Sequence, residues 1–237
     1  MRAAIDRGAG VIETMLMLGG RLVDRRGHLR RLADSVELVY GSELPAGLDR
    51  ELDALPPRRS ARVRVSVWPA AESLESKVEV KPYRRRPLAR TLIPVTVDGG
   101  LGCHKWRDRS WLADQRRQHG CGTEDELLLV DSDGEVLETE QAAVLILEGD
   151  RLVAAPNDAR RLPSVTRPRA LAAAEEMGLA VTVQAIGFER LLAADQVLAA
   201  SSVRLIAVVV ACGDRRWRPT DLAQRLTKVL FDAAERT

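Results

Sequence analysis

The sequence predicts two domains: a small N-terminal α+β domain over residues 1–88, and a larger C-terminal domain over 89–237 in which strands and helices alternate, α+β or α/β in class. Two patterns carry the N-terminal class. RVRVSVWP (residues 62–69) and KVEVK (77–81) alternate apolar and polar side chains, the period of antiparallel strands with one wet face. In Gly27 to Tyr40, by contrast, Leu29, Leu32, Val36 and Val39 recur at spacings of three and four, which puts them on one helical face. The boundary is read from PYRRRPLARTLIP, Pro82 to Pro94, whose proline and arginine content is that of a surface-running linker.

Taken in order, residues 11–17 and 21–23 read as apolar strands joined at Gly19-Gly20, a hairpin signal. Beyond the linker, a helix is expected over 105–119, then a strand over 127–131, the turn Ser132-Asp133-Gly134 and a strand over 142–148, giving a second hairpin. A helix over 166–177 stops at Gly178, a strand follows over 179–185, and a short helix covers 188–193. Strands over 196–200 and 205–211 lead to a last helix from Pro219.

Composition narrows the partners. With 46% hydrophobic and 30% charged residues and a net charge of +2, the 237-residue chain has the balance of a globular protein rather than a nucleic-acid binder. Its longest apolar run, Leu205 to Cys212, has the length of a buried strand, far short of the roughly 20 residues a bilayer span needs. The first residues place acids and glycines where a signal peptide needs an apolar stretch, so a cytoplasmic protein is expected. Cys103, Cys121 and Cys212 lack zinc or disulfide spacing, and His28, His104 and His119 are scattered; no metal site is expected. Gly8-Ala9-Gly10 lacks the third glycine of a dinucleotide loop and leads into a strand, so it reads as a turn.

Lysine is scarce. Only Lys77, Lys81, Lys105 and Lys228 occur in an arginine-dominated chain, and lysine, unlike arginine, can become a neutral nucleophile. Lys105, in Gly102-Cys103-His104-Lys105-Trp106, would by itself be read as a surface residue. Leu162 to Arg167 opens a helix, whose free N–H groups and dipole attract phosphate, although a plain capped start would look the same. Glu138 is an acid in an apolar setting, which needs a cationic partner if buried and none if exposed. Ser201-Ser202 ends an apolar strand, where hydroxyls can meet a ligand or merely end the sheet.

Seven segments occur in a telling order: Val11 to Thr14, His28 to Ser35 (HLRRLADS), His104-Lys105 with Asp108-Arg109, Asp125 to Gly134, Glu138-Thr139, Leu162 to Arg167, and Ser201. Together they resemble the fold type IV family of pyridoxal-phosphate (PLP) enzymes, which includes branched-chain and D-amino-acid aminotransferases and aminodeoxychorismate lyase. The match to "F-E-T", "H-l-x-R-L-x-x-S", "D-E-x-L-x-x-D-x-x-G" and "L-P-G-[VI]-T-R" spans nearly the whole chain. It departs at Ala143, where many members carry Asn, at Ser164, where they carry Gly, and in the short stretch ahead of the first strand.

The resemblance implies a two-domain enzyme with its active site between the domains, a homodimer, and PLP carried on the amine of Lys105. It implies that Glu138 keeps the cofactor's pyridine nitrogen protonated. Arg31, the backbone N–H groups of Val165 and Thr166, and Ser201 would hold the phosphate. Thr14 occupies a position where the lyases carry a hydroxyl that assists proton movement near the lysine, whereas branched-chain aminotransferases tend to have glycine there. Those aminotransferases also tend to carry Asn-Tyr where this chain has Arg109-Ser110. The resemblance therefore points to loss of pyruvate from 4-amino-4-deoxychorismate, giving 4-aminobenzoate for folate or for a specialised metabolite. The alternatives are a branched-chain or D-amino-acid aminotransferase and, further off, a scaffold of this family without catalysis.

Overall fold

The computed structural model describes residues 3–84 and 89–236, which fall into two compact units. Residues 4–85 together with 104–110 form the N-terminal unit; residues 86–103 and 111–237, with the first three residues, form the C-terminal unit. The predicted boundary after residue 88 lies outside the described residues.

In the N-terminal unit, β1 (Val11–Leu18) turns at Gly19-Gly20 into β2 (Arg21–Leu22), as the two glycines predict. α1 (Arg25–Tyr40) starts two residues before the apolar pattern does and stops at Gly41, a left-handed residue whose N–H returns to the Glu37 carbonyl at 2.8 Å. A short α2 (Leu48–Asp53), not foreseen, buries Leu48 and Leu52. β3 (Ser60–Pro69) and β4 (Leu74–Pro82) pair antiparallel and complete a four-stranded sheet of order β2-β1-β3-β4. The alternation in β3 is realised: Ala61, Val63, Val65 and Val67 are fully buried and pack with Val11, Met15 and Leu32, while the arginines between them lie on the opposite face.

The C-terminal unit begins with β5 (Ala89–Thr96), inside the segment read as a linker. Pro94 gave the false signal, because a proline removes a ladder donor and is expected at an edge. Yet β5 is an interior strand, parallel to its neighbours on both sides, with Pro94 in register with Leu128. α3 (Ser110–Gln118) starts five residues later than expected, because Lys105 to Arg109 belong to an extended stretch. β6 (Asp125–Val130) then pairs with β7 (Val136–Thr139), not with the expected strand over 142–148. Gly134, at φ 84°, closes the turn onto the Asp131 carbonyl at 3.0 Å and returns the chain at once.

β8 (Ala143–Glu148), β9 (Arg151–Ala154), α4 (Thr166–Glu176), β10 (Ala180–Val183), α5 (Phe188–Ala193), β11 (Gln196–Ser201), β12 (Leu205–Cys212), β13 (Arg215–Arg216) and α6 (Leu222–Arg236) follow. Eight strands run β10-β9-β8-β11-β12-β5-β6-β7, and β13 joins β12. The core is aliphatic, with Leu92, Ile146, Val153, Val197 and Val209 fully buried together. In α6, Leu222, Leu226 and Leu230 repeat every four residues and face inward. Among the described residues, no helix is long and apolar enough to cross a membrane.

Residues 104–110 join the N-terminal unit because β1 captures them. Val11 and Trp106 form an antiparallel bridge, Ile12 N–H donates to the Lys105 carbonyl at 2.8 Å, and Arg107 N–H donates to the Gly10 carbonyl at 2.9 Å. Lys105 therefore sits with the N-terminal unit and not, as expected, with the C-terminal one. Gly10 is at φ 104°, and a Cβ there would lie 2.3 Å from the Val67 carbonyl oxygen. Gly10→Ala is expected to cost about 1–3 kcal/mol or more, read as a lower midpoint in urea unfolding, since both the backbone angle and the space forbid a side chain.

Candidate active site

Lys105 is half-buried between His104 and Trp106, whose rings meet edge-on at 5.2 Å. Its segment is anchored on both sides. Trp106 is buried in the core of the unit, with the guanidinium of Arg7 6.0 Å from its ring, while that of Arg107 lies 4.7 Å over Trp68. His104 Nδ1 is 3.1 Å from Ser35 Oγ on α1. Asp108 accepts from the backbone N–H groups of Asp6 and Ser110, both at 2.9 Å. The lysine's backbone is thus held by β1, and its neighbours by two cation–π contacts and three polar ones.

Thr14 stands on that same β1, in register with Arg64 of β3. Cross-strand partners share a face, so the two side chains emerge together. Thr14 Oγ1 and Arg64 Nε are both buried without a hydrogen-bond partner among the described residues. Burial, and then the like charge of Arg62, lowers the Arg64 pKa. A hydroxyl and a guanidinium Nε left unsatisfied on one face of the sheet are groups that a polar ligand could satisfy. Sequence reasoning missed Arg64, because the alternation marked its face as wet without marking any residue on it.

Arg31, on the inner side of α1, meets a buried acid. Its Nε and Nη2 donate to the two carboxylate oxygens of Glu13 at 2.9 and 2.7 Å, and His28 Nδ1 lies 3.2 Å from Glu13 Oε1. Glu13 is 1% exposed. Burial pushes its carboxyl pKa up, but Arg31 and His28 beside it prevail and bring it down to about 2. Glu13 appeared in the sequence only as part of a motif; the structure makes it the anchor that orients Arg31.

In the C-terminal unit, Glu138 is half-buried on β7, and its Oε1 lies 3.4 Å from the Leu162 N–H. Leu162 belongs to the loop that enters α4. There, Val165 makes no side-chain cap, and the first N–H groups of a helix have no partner within it. Ser164, where glycine was the expected residue, turns its Oγ to the Arg167 N–H at 3.1 Å and serves the start of the helix. Thr166 Oγ1 is 3.3 Å from Ser202 Oγ, and the neighbouring Ser201 Oγ is buried without a hydrogen-bond partner among the described residues. Amides, three hydroxyls and the positive end of a helix dipole suit an anion. Ala143, in place of asparagine, faces Ala200 across β8 and β11 and offers no polar group.

The predicted residues therefore form two groups. Thr14, Arg31 and Lys105 belong to the N-terminal unit; Glu138, Val165, Thr166 and Ser201 belong to the C-terminal unit.

Residues 107–212 match the family model described as amino-transferase class IV. A fold IV transaminase from Curtobacterium pusillum superposes with a TM-score of 0.82 at 21% identity, covering 96% of this chain and 90% of that one. The chain has the class IV aminotransferase fold. Other solved structures with this fold carry different assignments. A Legionella pneumophila protein provisionally assigned as a 4-amino-4-deoxychorismate lyase gives a TM-score of 0.82 at 19% identity, covering 98% of this chain and 95% of that one. The branched-chain aminotransferase of Thermoproteus uzoniensis gives 0.81 at 17%, covering 98% and 90%. No curated protein matches.

Within this class IV fold, the Glu13–Arg31 pair has a measurable pH signature. The folded Glu13 value lies below its ordinary 4.5, so the stability it contributes is fully present above that pH and is lost as pH falls toward 2. The shift corresponds to about 3 kcal/mol. Wild-type unfolding free energy is expected to fall between pH 5 and 2 by that amount more than that of Glu13→Gln, which should already be destabilised at pH 7; urea titrations at each pH check both.

Proposed function

We propose that the protein is a PLP-dependent enzyme that eliminates pyruvate from 4-amino-4-deoxychorismate to give 4-aminobenzoate, acting in the cytosol as a homodimer. One observation carries the choice of reaction: β1, which grips the Lys105 backbone, also presents the buried, unpartnered Thr14 hydroxyl. The cofactor is supported by the fold it shares with a Mycobacterium tuberculosis aminotransferase in a PLP-bound form and a Brucella abortus aminotransferase bound to PLP. The residues fit it. Lys105 has the amine its aldehyde would need, Glu138 the acid its ring nitrogen would need, and the α4 amides with the buried Ser201 Oγ suit its phosphate.

When bound, PLP supplies a conjugated sink for the electron pair left behind as the substrate's proton departs. Lys105, whose amine would hold the cofactor, would take the proton from the substrate carbon that bears the amine. Thr14 Oγ1 would relay that proton. The ring C–O bond would then break with its electron pair leaving on oxygen as enolpyruvate, which takes up the relayed proton on its methylene carbon to become pyruvate, and the ring becomes aromatic. Glu138 holds the proton on the pyridine nitrogen, a role its carboxylate performs only while ionised. Arg31, the Val165 and Thr166 N–H groups and Ser201 Oγ hold the phosphate. Arg64, on the face of Thr14, receives a substrate carboxylate.

Amino transfer from a branched-chain or D-amino acid is the second reading, favoured by the transaminases among the structural relatives. It shares every step up to proton removal and needs no hydroxyl at Thr14.

Borohydride treatment of the purified protein is expected to fix PLP on Lys105, seen by peptide mass spectrometry; Lys105→Ala should abolish both the label and the absorbance near the visible edge. Absence of that label from the wild type would leave a non-catalytic scaffold. Given 4-amino-4-deoxychorismate, the wild type should release 4-aminobenzoate and pyruvate in equal amounts. Amine transfer to a keto acid without pyruvate release would select the second reading. Thr14→Val should lower the elimination rate roughly 100-fold. Arg64→Met should instead raise KM about 10-fold with less effect on kcat. Light scattering on a sizing column tests the dimer.

A further inference from the structure

The C-terminal unit contains a second buried acid, on which both halves of its ligand-facing surface converge. Glu126 of β6 is 1% exposed. Its Oε1 accepts from the Thr139 hydroxyl and, at 2.9 Å, from Arg204 Nη2; its Oε2 lies 2.7 Å from Arg204 Nη1 and 3.8 Å from Arg90 Nε. Arg204 and Thr139 are themselves buried.

Each partner governs a residue of the site. Thr139 follows Glu138 directly, and its Oγ1 also accepts from the Ala142 N–H at 2.9 Å, fixing the turn from β7 to β8. Arg204 ends the turn of residues 202–204 from β11 to β12, which follows Ser201, the last residue of β11 and the cross-strand partner of Leu205. Leu205, next to it, is at φ 60°, a left-handed conformation that a branched, buried side chain adopts only when its surroundings impose it. Arg204, the residue before it, is held on Glu126 by one hydrogen bond and one close ion-pair contact.

We propose that the Glu126–Arg204 pair is a positioning device that sets the separation between Glu138 and the Ser201 hydroxyl, and so matches the unit to the two ends of one ligand, the ring nitrogen and the phosphate. The proposal rests on the PLP reading. Stability alone does not explain the pair, because apolar side chains of similar volume serve a protein interior as well as a buried ion pair does. Orientation does: a charge-assisted hydrogen bond to one carboxylate oxygen, with the second guanidinium nitrogen close against the other oxygen, fixes direction as well as distance.

The experiment compares wild type, Arg204→Met and the double variant Glu126→Leu with Arg204→Met. Measured for each are thermal unfolding of the cofactor-free protein, affinity for PLP, affinity for pyridoxal, which lacks the phosphate, and the pH titration of the bound cofactor's absorbance. Arg204→Met should lose both stability and affinity. The double variant should regain the unfolding temperature yet bind PLP at least about 10-fold more weakly, with a lowered PLP-to-pyridoxal preference and a shifted absorbance titration. Recovery of wild-type affinity, preference and titration by the double variant would overturn the proposal and leave the pair a purely structural element. If the double variant does not fold, Arg204→Lys decides: it keeps the charge but loses the planar fork that meets both carboxylate oxygens, and an unchanged PLP-to-pyridoxal preference would count against positioning. A wild type that takes up no PLP would instead overturn the reading beneath it.

Discussion

Two backbone hydrogen bonds, Ile12 N–H to the Lys105 carbonyl and Arg107 N–H to the Gly10 carbonyl, hold the lysine segment to the first strand of the N-terminal sheet. Everything proposed for Lys105 depends on that attachment. Main-chain bonds fix a residue's position through its backbone, leaving the identity of its side chain to be chosen for chemistry. The attachment needs Gly10, because the backbone approaches Val67 too closely there for any side chain. It also needs Trp106, which is buried among the aliphatic residues of β1 and β3.

Each unit, taken by itself, contains the same electrostatic device. Glu13 with Arg31, and Glu126 with Arg204, are buried carboxylates paired with arginine, the first hydrogen-bonded through both oxygens and the second through one oxygen with a close ion-pair contact at the other. An unpaired charge in either place would be prohibitive, so each pair stands or falls together. What is gained is direction. Arg31 is turned by Glu13, and the serine turn is fixed by Glu126.

Local periodicity made much of this fold legible. The hairpin at Gly19-Gly20, the end of α1 at Gly41 and the inward valines of β3 follow from turn chemistry and side-chain period alone. What failed was long-range. Pro94 disguised an interior strand as a linker, because a parallel ladder with β12 and β6 overrode its preference for edges. Lys105 to Arg109 were read as helix, since nothing nearby signals that β1 recruits them. Glu126 and Arg204 lie 78 residues apart, and no spacing rule connects them. The family resemblance supplied the order of the site segments, but not the orphaned Thr14, Arg64 and Ser201 atoms, which exist only once strands are paired.

The division of the chain into units is also a division in time. Residues 4–85 leave the ribosome before residues 104–110, and domains tend to fold as they emerge. Until the later segment arrives, Ile12 N–H and the Gly10 carbonyl lack their partners and the core lacks Trp106. The sheet that presents the lysine is thus completed by residues made after β5, the first strand of the other unit. No single cut separates the two units, and a fragment ending near residue 85 would carry an unfinished sheet with no lysine to present.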